Sequence, residues 1–204
     1  SSTTNTLLIG NNTGNSLTTG STNTLIGHQN SISLSYGTDN ISVGYQASYY
    51  QYDGSKNITI GTGAGYGSDV ITNNYNNNIL LGYESGYNIA TGDNNLLLGY
   101  QTGNSLQDGN KNIVIGYQAG GTKLNNVDNN LLIGYQTEIE NDGGCNNLII
   151  GKKFESETDS GVLLSGIMNQ NASSREVKIR GTLILDSESG DNNKSSIKLG
   201  NETY

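Results

Sequence analysis

The sequence predicts an all-β fold, a parallel β-roll (β-solenoid) of about nine coils with about 17 residues each. A glycine after an aliphatic triplet recurs at nearly constant spacing, an asparagine precedes most triplets, and a second glycine marks a turn between them. One step in this series, from Gly61 to Gly82, is clearly longer than the others. The marker glycines are Gly10, Gly27, Gly44, Gly61, Gly82, Gly99, Gly116, Gly134 and Gly151.

The composition is unusual for a compact domain but fits a stack of thin layers. The chain of 204 residues has 29 glycines, no proline, no tryptophan and only 32% apolar residues. Such a low apolar content is typical of disordered chains. Here, however, the aliphatic residues are confined to fixed places in each repeat and only 14% of residues are charged. We therefore expect an ordered repeat protein.

Each triplet predicts a short strand with two apolar faces. In the copy around Gly116, Ile113 and Ile115 share one face, and Val114 points to the other. We interpret the first and third positions as the core inside the coil. The middle position is also apolar in most copies, and a strand that is apolar on both faces is buried on both. We therefore predict that the middle residues form an interface with an identical chain. They are Leu8, Leu25, Leu80, Leu97, Val114, Leu132 and Ile149.

The rest of each coil predicts a second short strand and a second turn. Apolar residues mark this strand at Leu17, Leu34, Ile89, Leu106 and Leu124. Glycines follow it, and we expect them to adopt the positive φ that other residues avoid. Two strands and two turns within so short a repeat leave no room for a helix. The second-turn glycines are Gly20, Gly37, Gly54, Gly92, Gly109, Gly143 and Gly144.

The asparagine four residues before the marker glycine predicts an amide ladder. Stacked at about 4.8 Å, such side chains can bond to one another and to the turn backbone. The row consists of Asn23, Asn40, Asn57, Asn78, Asn95, Asn112, Asn130 and Asn147. The longer step between Gly61 and Gly82 predicts a polar loop that bulges from the roll over residues 69–77.

The repeat ends at Gly151, so we predict two domains. Residues 1–151 form the β-roll, and residues 152–204 form a β-rich neck or shaft. Short apolar segments predict strands in this second part. They lie at residues 162–164, 177–179, 183–185 and 197–199.

Three copies of the repeat, NISVGYQA, NIVIGYQAG and NLLIGYQT, resemble the head repeats of trimeric autotransporter adhesins. They are also similar to the GYQAG-rich arrays in tail fibres and spikes of phages and large DNA viruses. The resemblance covers about residues 5–151, and GTLILDSESG is similar to strands that follow the repeats in such fibres. It implies a left-handed β-roll and a homotrimer. The period is longer than the usual adhesin repeat, and the middle residue is larger than its usual alanine.

The sequence predicts no catalytic, cofactor-binding or metal site, and we expect the protein not to be an enzyme. His28 is the only histidine, and Cys145 is the only cysteine. The glycine-rich run from Gly61 to Gly67 lacks the following helix that a phosphate-binding loop needs. Aspartates near one turn row leave calcium binding as an alternative to simple solvated turns. They are Asp39, Asp53, Asp93, Asp108, Asp128 and Asp142.

Charge and hydropathy exclude two classes of partner. The net charge of −8 argues against nucleic acid, because no basic stripe could offset the phosphate charge. No apolar run approaches the about 20 residues that a membrane-spanning helix needs. We therefore expect neither nucleic acid nor membrane as a partner of this segment.

The tyrosines are the main candidates for surface contacts. One row follows the marker glycine at Tyr45, Tyr83, Tyr100, Tyr117 and Tyr135, with His28 in the same place. Its structural interpretation is a stacked ladder that seals the roll. Its functional interpretation is docking of a glycan or receptor, since tyrosine supplies contact area at low entropic cost. Several tyrosines depart from this row, and we predict an exposed contact patch at Tyr49, Tyr50, Tyr52 and Tyr75.

These expectations favour a structural protein of a viral or phage fibre or spike at the virion surface. Its expected partners are other copies of itself, other fibre or virion proteins, and a host surface glycan or receptor. The alternative is a bacterial trimeric adhesin that binds glycan or matrix at the cell surface. An enzyme on a solenoid ranks last, because no acid, base or metal constellation departs from the repeat.

Overall fold

The computed structural model describes residues 5–68, 73–139 and 144–152, together with the backbone of 162–167, 176–179, 198–199 and 202–203. Nine strands follow one another along the repeat, one for each marker glycine. They are β1 (Leu7–Ile9), β2 (Thr24–Ile26), β3 (Ile41–Val43), β4 (Ile58–Ile60), β5 (Ile79–Leu81), β6 (Leu96–Leu98), β7 (Ile113–Ile115), β8 (Leu131–Tyr135) and β9 (Asn147–Lys152).

Strands β1 to β9 form a parallel stack in chain order. Each triplet pairs with the same three positions of the next coil, so that Leu97 lies between Leu80 and Val114. Nine stacked strands enclose eight turns of a β-solenoid. The predicted parallel solenoid is confirmed, and the described residues contain no helix.

The prediction of which strand face lies inside the coil is wrong. The middle residues form the core: Leu97, Leu132 and Val114 are completely buried within one chain. A side chain without exposed surface cannot contact a second chain, so these residues form no interface. Leu25 and Leu80 are also completely buried, Ile149 is 7% exposed, and only Leu8, in the first coil, is 45% exposed.

The first and third residues of each triplet face outward instead. Ile113 and Leu98 are each 42% exposed, and Ile79 is 38% exposed. The coil is narrow, and its interior accommodates one large side chain from each strand. The outward positions therefore form two aliphatic rows on an open face of the sheet.

Within the described residues, the remainder of each coil is a chain of turns and does not form the predicted second strand. In the sixth coil φ is positive at Gly99, Gln101 and Gly103 (140°, 50° and 60°), which prevents an extended strand. Hydrogen bonds between coils persist through this segment, as from the Gln101 amide to the Tyr83 carbonyl at 2.8 Å. Most of the predicted apolar residues of this segment do lie in the core: Leu34, Ile89, Leu106 and Leu124 are completely buried, and Leu17 is half-buried.

Close approach between coils explains both glycine rows. A Cβ on Gly99 would lie 2.1 Å from the Gly116 carbonyl oxygen, and one on Gly109 would lie 2.4 Å from that of Val127. Both distances are far shorter than a van der Waals contact between a Cβ and a carbonyl oxygen, so neither position can hold a larger residue. Gly20, Gly37, Gly54, Gly92 and Gly109 do not adopt the predicted positive φ, and Gly143 lies outside the described residues. Positive φ occurs two residues later instead, at positions such as Asn94 (62°) and Lys111 (58°).

The longer coil between Gly61 and Gly82 does not place residues 73–77 in a bulging loop as predicted, and residues 69–72 lie outside the described part. Asn73 and Tyr75 are completely buried. The Tyr75 hydroxyl donates to the Gly65 carbonyl at 2.7 Å, and burial raises the pKa of this phenol. Tyr75 fills core space in the coil that has Ser68 where most other coils have leucine or isoleucine. The predicted exposure of Tyr75 is therefore wrong.

Gln51 occupies the core row that Leu34 and Leu106 fill in other coils. Its side chain is completely buried, and neither Nε2 nor Oε1 has a hydrogen-bond partner. Buried polar groups without partners cost about 1–3 kcal/mol. We expect Gln51→Leu to raise the free energy of unfolding by about that amount, measured by chemical denaturation. The exposed Gln107→Leu serves as the control and should change it by less than about 0.5 kcal/mol. Unchanged or lower stability of Gln51→Leu would contradict the expectation.

Beyond the parallel stack the same sheet continues with antiparallel strands. β10 (Val162–Ile167) pairs with β9, and β11 (Glu176–Ile179) pairs with β10. A separate pair consists of β12 (Lys198–Leu199) and β13 (Glu202–Thr203). These strands overlap three of the four predicted segments, and residues 183–185 lie outside the described part. The division into two domains stays a prediction.

Candidate binding surfaces

The asparagine row is built into the turn as the predicted amide ladder. Asn95 is 2% exposed, and its Nδ2 donates to Oδ1 of Asn78 at 3.0 Å and to the Gly109 carbonyl at 2.9 Å. Its Oδ1 accepts from the backbone N and from Nδ2 of Asn112, at 2.9 and 3.1 Å. The ladder uses the amides inside the coil, so they are not available to a ligand.

Aspartates of the neighbouring turn row have a structural role as well. The backbone N of Asn110 donates to Oδ1 of Asp128 at 2.7 Å, and that of Asn76 donates to Oδ1 of Asp93 at 2.6 Å. Cys145 continues this row, because its Sγ accepts from the Asp128 backbone N at 3.2 Å. Within the described residues, no three His, Cys, Asp or Glu side chains come together as a metal site.

The open sheet face is an apolar surface that runs along the stack of coils, with Ile41, Ile79 and Leu98 exposed on it. Its two aliphatic rows are bordered by the tyrosine row that follows the marker glycine. In β8, Leu131, Ile133 and Tyr135 alternate with inward residues and so share the outward side. Rings of Tyr83, Tyr100, Tyr117 and Tyr135 stack nearly parallel, with centroids 5.1, 5.0 and 5.3 Å apart. The predicted tyrosine ladder is present.

A glutamine ladder accompanies the tyrosines one residue further along. Nε2 of Gln118 donates to Oε1 of Gln101, and Nε2 of Gln136 donates to Oε1 of Gln118, both at 2.8 Å. Glu84 ends this run by accepting from Gln101 at 2.7 Å, and Gln46 donates to Gln29 in earlier coils at 3.1 Å. These side chains are half-buried, so the ladder is accessible from outside.

A tyrosine cluster occupies another side of the third to fifth coils. Tyr49, Tyr66 and Tyr87 stack with centroids 5.0 and 4.7 Å apart, and Tyr50 packs edge-on against the first two. Burial, and then the phenol of Tyr50, raise the pKa of Tyr66 to about 12. All of these rings keep some exposed surface, in contrast to Tyr75.

The four predicted contact tyrosines have three different environments. Tyr49 and Tyr50 meet in the tyrosine cluster, beside rings that share the position of Tyr49 in the repeat. Tyr52 packs edge-on against Tyr36, with ring centroids 6.2 Å apart. Tyr75 lies in the core. The predicted patch is therefore a cluster around two of its members.

A groove opens beside the glutamine ladder in the sixth to eighth coils. Its volume is about 240 Å³, and its lining residues are Gln101, Asn104, Gln118, Gly121, Thr122, Gln136 and Glu138. The fifth position after the marker glycine controls its shape. Earlier coils carry Tyr49, Tyr66 and Tyr87 there, whereas Asn104 and Gly121 take this position along the groove.

The groove was not predicted from the sequence. Its sequence signal is the replacement of tyrosine by Asn104 and Gly121 at one position, beside an unbroken glutamine row. The replacement becomes visible when the repeats are aligned on the marker glycine and the residues five positions after it are compared.

No family model, curated protein or solved structure matches this chain in sequence or fold comparisons. Among the residues that the structure describes, no helix has the length and apolar character needed to cross a membrane.

Proposed function

We propose that this chain is a structural segment of a surface fibre or spike, which associates with copies of itself through the open sheet face. The supporting observation is the pair of aliphatic rows on the outside of the stack, where Ile41, Ile60 and Ile113 remain 41–42% exposed. Contiguous apolar surface of this kind marks interaction sites. None of the nine triplets contains a charged residue.

The occupant of this face is another copy of the same chain. The rows repeat with the spacing of the coils, and a second parallel stack offers ridges with the same spacing. The number of chains comes from the resemblance to trimeric adhesins and fibres, which implies three. A trimer of continuous β-stacks is a stiff rod, suited to hold an attachment site away from a particle. We assign this rod first to a virus or phage, at the virion surface beside other fibre proteins.

The association is tested by multi-angle light scattering of the full chain. We expect a mass of three chains of 21.6 kDa for the natural sequence. The double variant Leu98→Asp and Ile113→Asp should give a folded monomer, because it places two carboxylates on the face. Asn125→Asp adds a charge at an exposed turn and should leave the trimer intact. A natural chain that is monomeric, or a double variant that stays trimeric, would contradict the proposal.

A bacterial surface adhesin is the second candidate, and the tyrosine cluster favours it. Tyr49, Tyr50 and Tyr66 form a compact aromatic surface outside the sheet face, so it remains accessible when chains associate through that face. Aromatic rings with polar tips are frequent in binding surfaces for glycans and proteins. In this candidate the cluster itself holds the glycan or matrix component.

A further inference from the structure

We propose that the groove beside the glutamine ladder binds a neutral glycan in extended conformation. The site is independent of the association through the sheet face, because its residues lie beyond the marker glycines, in the turn segment. It is also distinct from the tyrosine cluster, which occupies the equivalent position in earlier coils.

Along the groove, in the sixth to eighth coils, the ladder presents the same hydrogen-bonding groups at Gln101, Gln118 and Gln136. Each glutamine amide has two N–H donors and an oxygen with two lone pairs. The ladder uses one donor of Gln118 toward Gln101 and one lone pair of its oxygen for Gln136. One donor and one lone pair of Gln118 therefore remain for a ligand. A hydroxyl group both donates and accepts, so a chain of sugar rings matches this pair of groups.

The spacing of the groups favours an extended polymer over an isolated small molecule. Neighbouring coils are about 4.8 Å apart, so the amides form a regular row along the groove. The groove, with about 240 Å³, is slightly smaller than the about 300–1,000 Å³ of ordinary ligand pockets. It is therefore suited to a short part of a longer chain.

The charge of the surroundings disfavours anionic ligands. The Glu138 carboxylate lines the groove and accepts from the backbone N of Thr122 and of Lys123 at 2.8 and 3.3 Å. Glu84 ends the ladder, and the chain carries a net charge of −8. Sialylated or sulfated glycans would meet this negative potential without a basic residue among the lining side chains.

A peptide strand does not fit this groove either. Peptides that add to a sheet need an edge with unpaired backbone groups. Here the backbone groups already pair with neighbouring coils. The backbone N of Gln118 donates to the Tyr100 carbonyl at 2.8 Å, and the backbone N of Gly120 donates to the Thr137 carbonyl at 2.7 Å. A ligand must therefore be recognised by the side chains, and the hydroxyl groups of a glycan can bond to them.

The test begins with the full chain on a panel of neutral, sialylated and sulfated oligosaccharides, followed by calorimetric titration of the strongest neutral glycan. Asn104→Tyr restores the tyrosine of earlier coils and should fill the groove. Gln118→Ala removes the free donor. Both are expected to weaken binding more than tenfold, whereas Gln46→Ala, a ladder residue outside the groove, should change it less than twofold.

Circular dichroism and thermal melting verify the fold of each variant, and Gln118→Ala decides the outcome if Asn104→Tyr does not fold. Three results would overturn the proposal. These are no binding of any neutral glycan, binding of anionic glycans alone, and binding that Gln118→Ala leaves unchanged. Loss of binding with Tyr50→Ala alone would move the site to the tyrosine cluster. The test does not depend on oligomeric state, so the fibre proposal stands or fails separately.

Discussion

Leu97→Asp is expected to unfold the stack of coils within a single chain. Leu97 is completely buried, lies between Leu80 and Val114, and belongs to the central apolar cluster. Truncation of such a leucine alone costs about 3–5 kcal/mol, and an unpaired buried carboxylate adds to that. Since domains have about 5–15 kcal/mol of stability, the native melting transition should be lost or greatly lowered. Circular dichroism with thermal and urea denaturation measures this.

The matched control is the next residue, Leu98→Asp. It introduces the same charge in the same strand, but its side chain is 42% exposed on the open face. We expect it to retain cooperative unfolding and to weaken association between chains. If Leu97→Asp instead gave stable monomers with a native melting curve, the core assignment would be wrong and the middle residues would be the interface.

This contrast explains what the sequence determines about the two faces of a strand. Alternation places the first and third residues of a triplet on one side and the middle residue on the other. Because both sides are apolar, hydrophobicity alone does not identify the inner side. The asparagine row does identify it. Asn95 and Leu97 are two residues apart and share a face, so an amide ladder inside the coil places the middle residue inside as well.

The repeat period was sufficient to predict the parallel stack, because coils of constant length bring the same positions into register. The backbone conformation between the triplets could be predicted less well from the sequence. Positive φ at Gln101 and Lys111 replaces the predicted strand and the predicted glycine conformation. Neither residue type indicates this by itself. The stacking of coils imposes it, since closely approaching carbonyls require a glycine at one place and a tight turn at another.

The candidate sites were predictable only in part. Tyr49, Tyr50 and Tyr52 depart from the tyrosine row after the marker glycine, and for that reason we predicted them to be exposed; in the structure they are half-buried. Tyr75 departs from it as well but is buried, because its coil lacks a core leucine and the ring fills the space. A residue that departs from a repeat therefore marks a special position, but the departure does not show whether the side chain lies at the surface or in the core.

Asn95→Ala is expected to cause the second large loss of stability. The substitution removes both donors of Nδ2 and the oxygen that accepts from Asn112. The Gly109 carbonyl and the backbone N of Asn112 lose these partners inside the turn. Each such group costs about 1–3 kcal/mol, so we expect a loss of about 2–6 kcal/mol in the free energy of unfolding. The exposed Asn125→Ala should change it by less than about 0.5 kcal/mol.

Asn95→Asp distinguishes the hydrogen bonds that the amide donates from the packing of the side chain. The carboxylate has the shape of the amide and can still accept from Asn112, but it faces the Asn78 and Gly109 oxygens without a donor. Burial and the two facing oxygens favour the protonated acid, and we expect them to outweigh the Asn112 donors that favour the carboxylate, so that its pKa in the folded state is raised above the ordinary value of about 3.9. Stability is then present below that value and is lost as pH rises through the folded pKa. Urea denaturation from pH 3 to pH 7 should show this loss relative to the natural chain. A variant with the same pH dependence as the natural chain would show that the amide donors do not stabilise the stack.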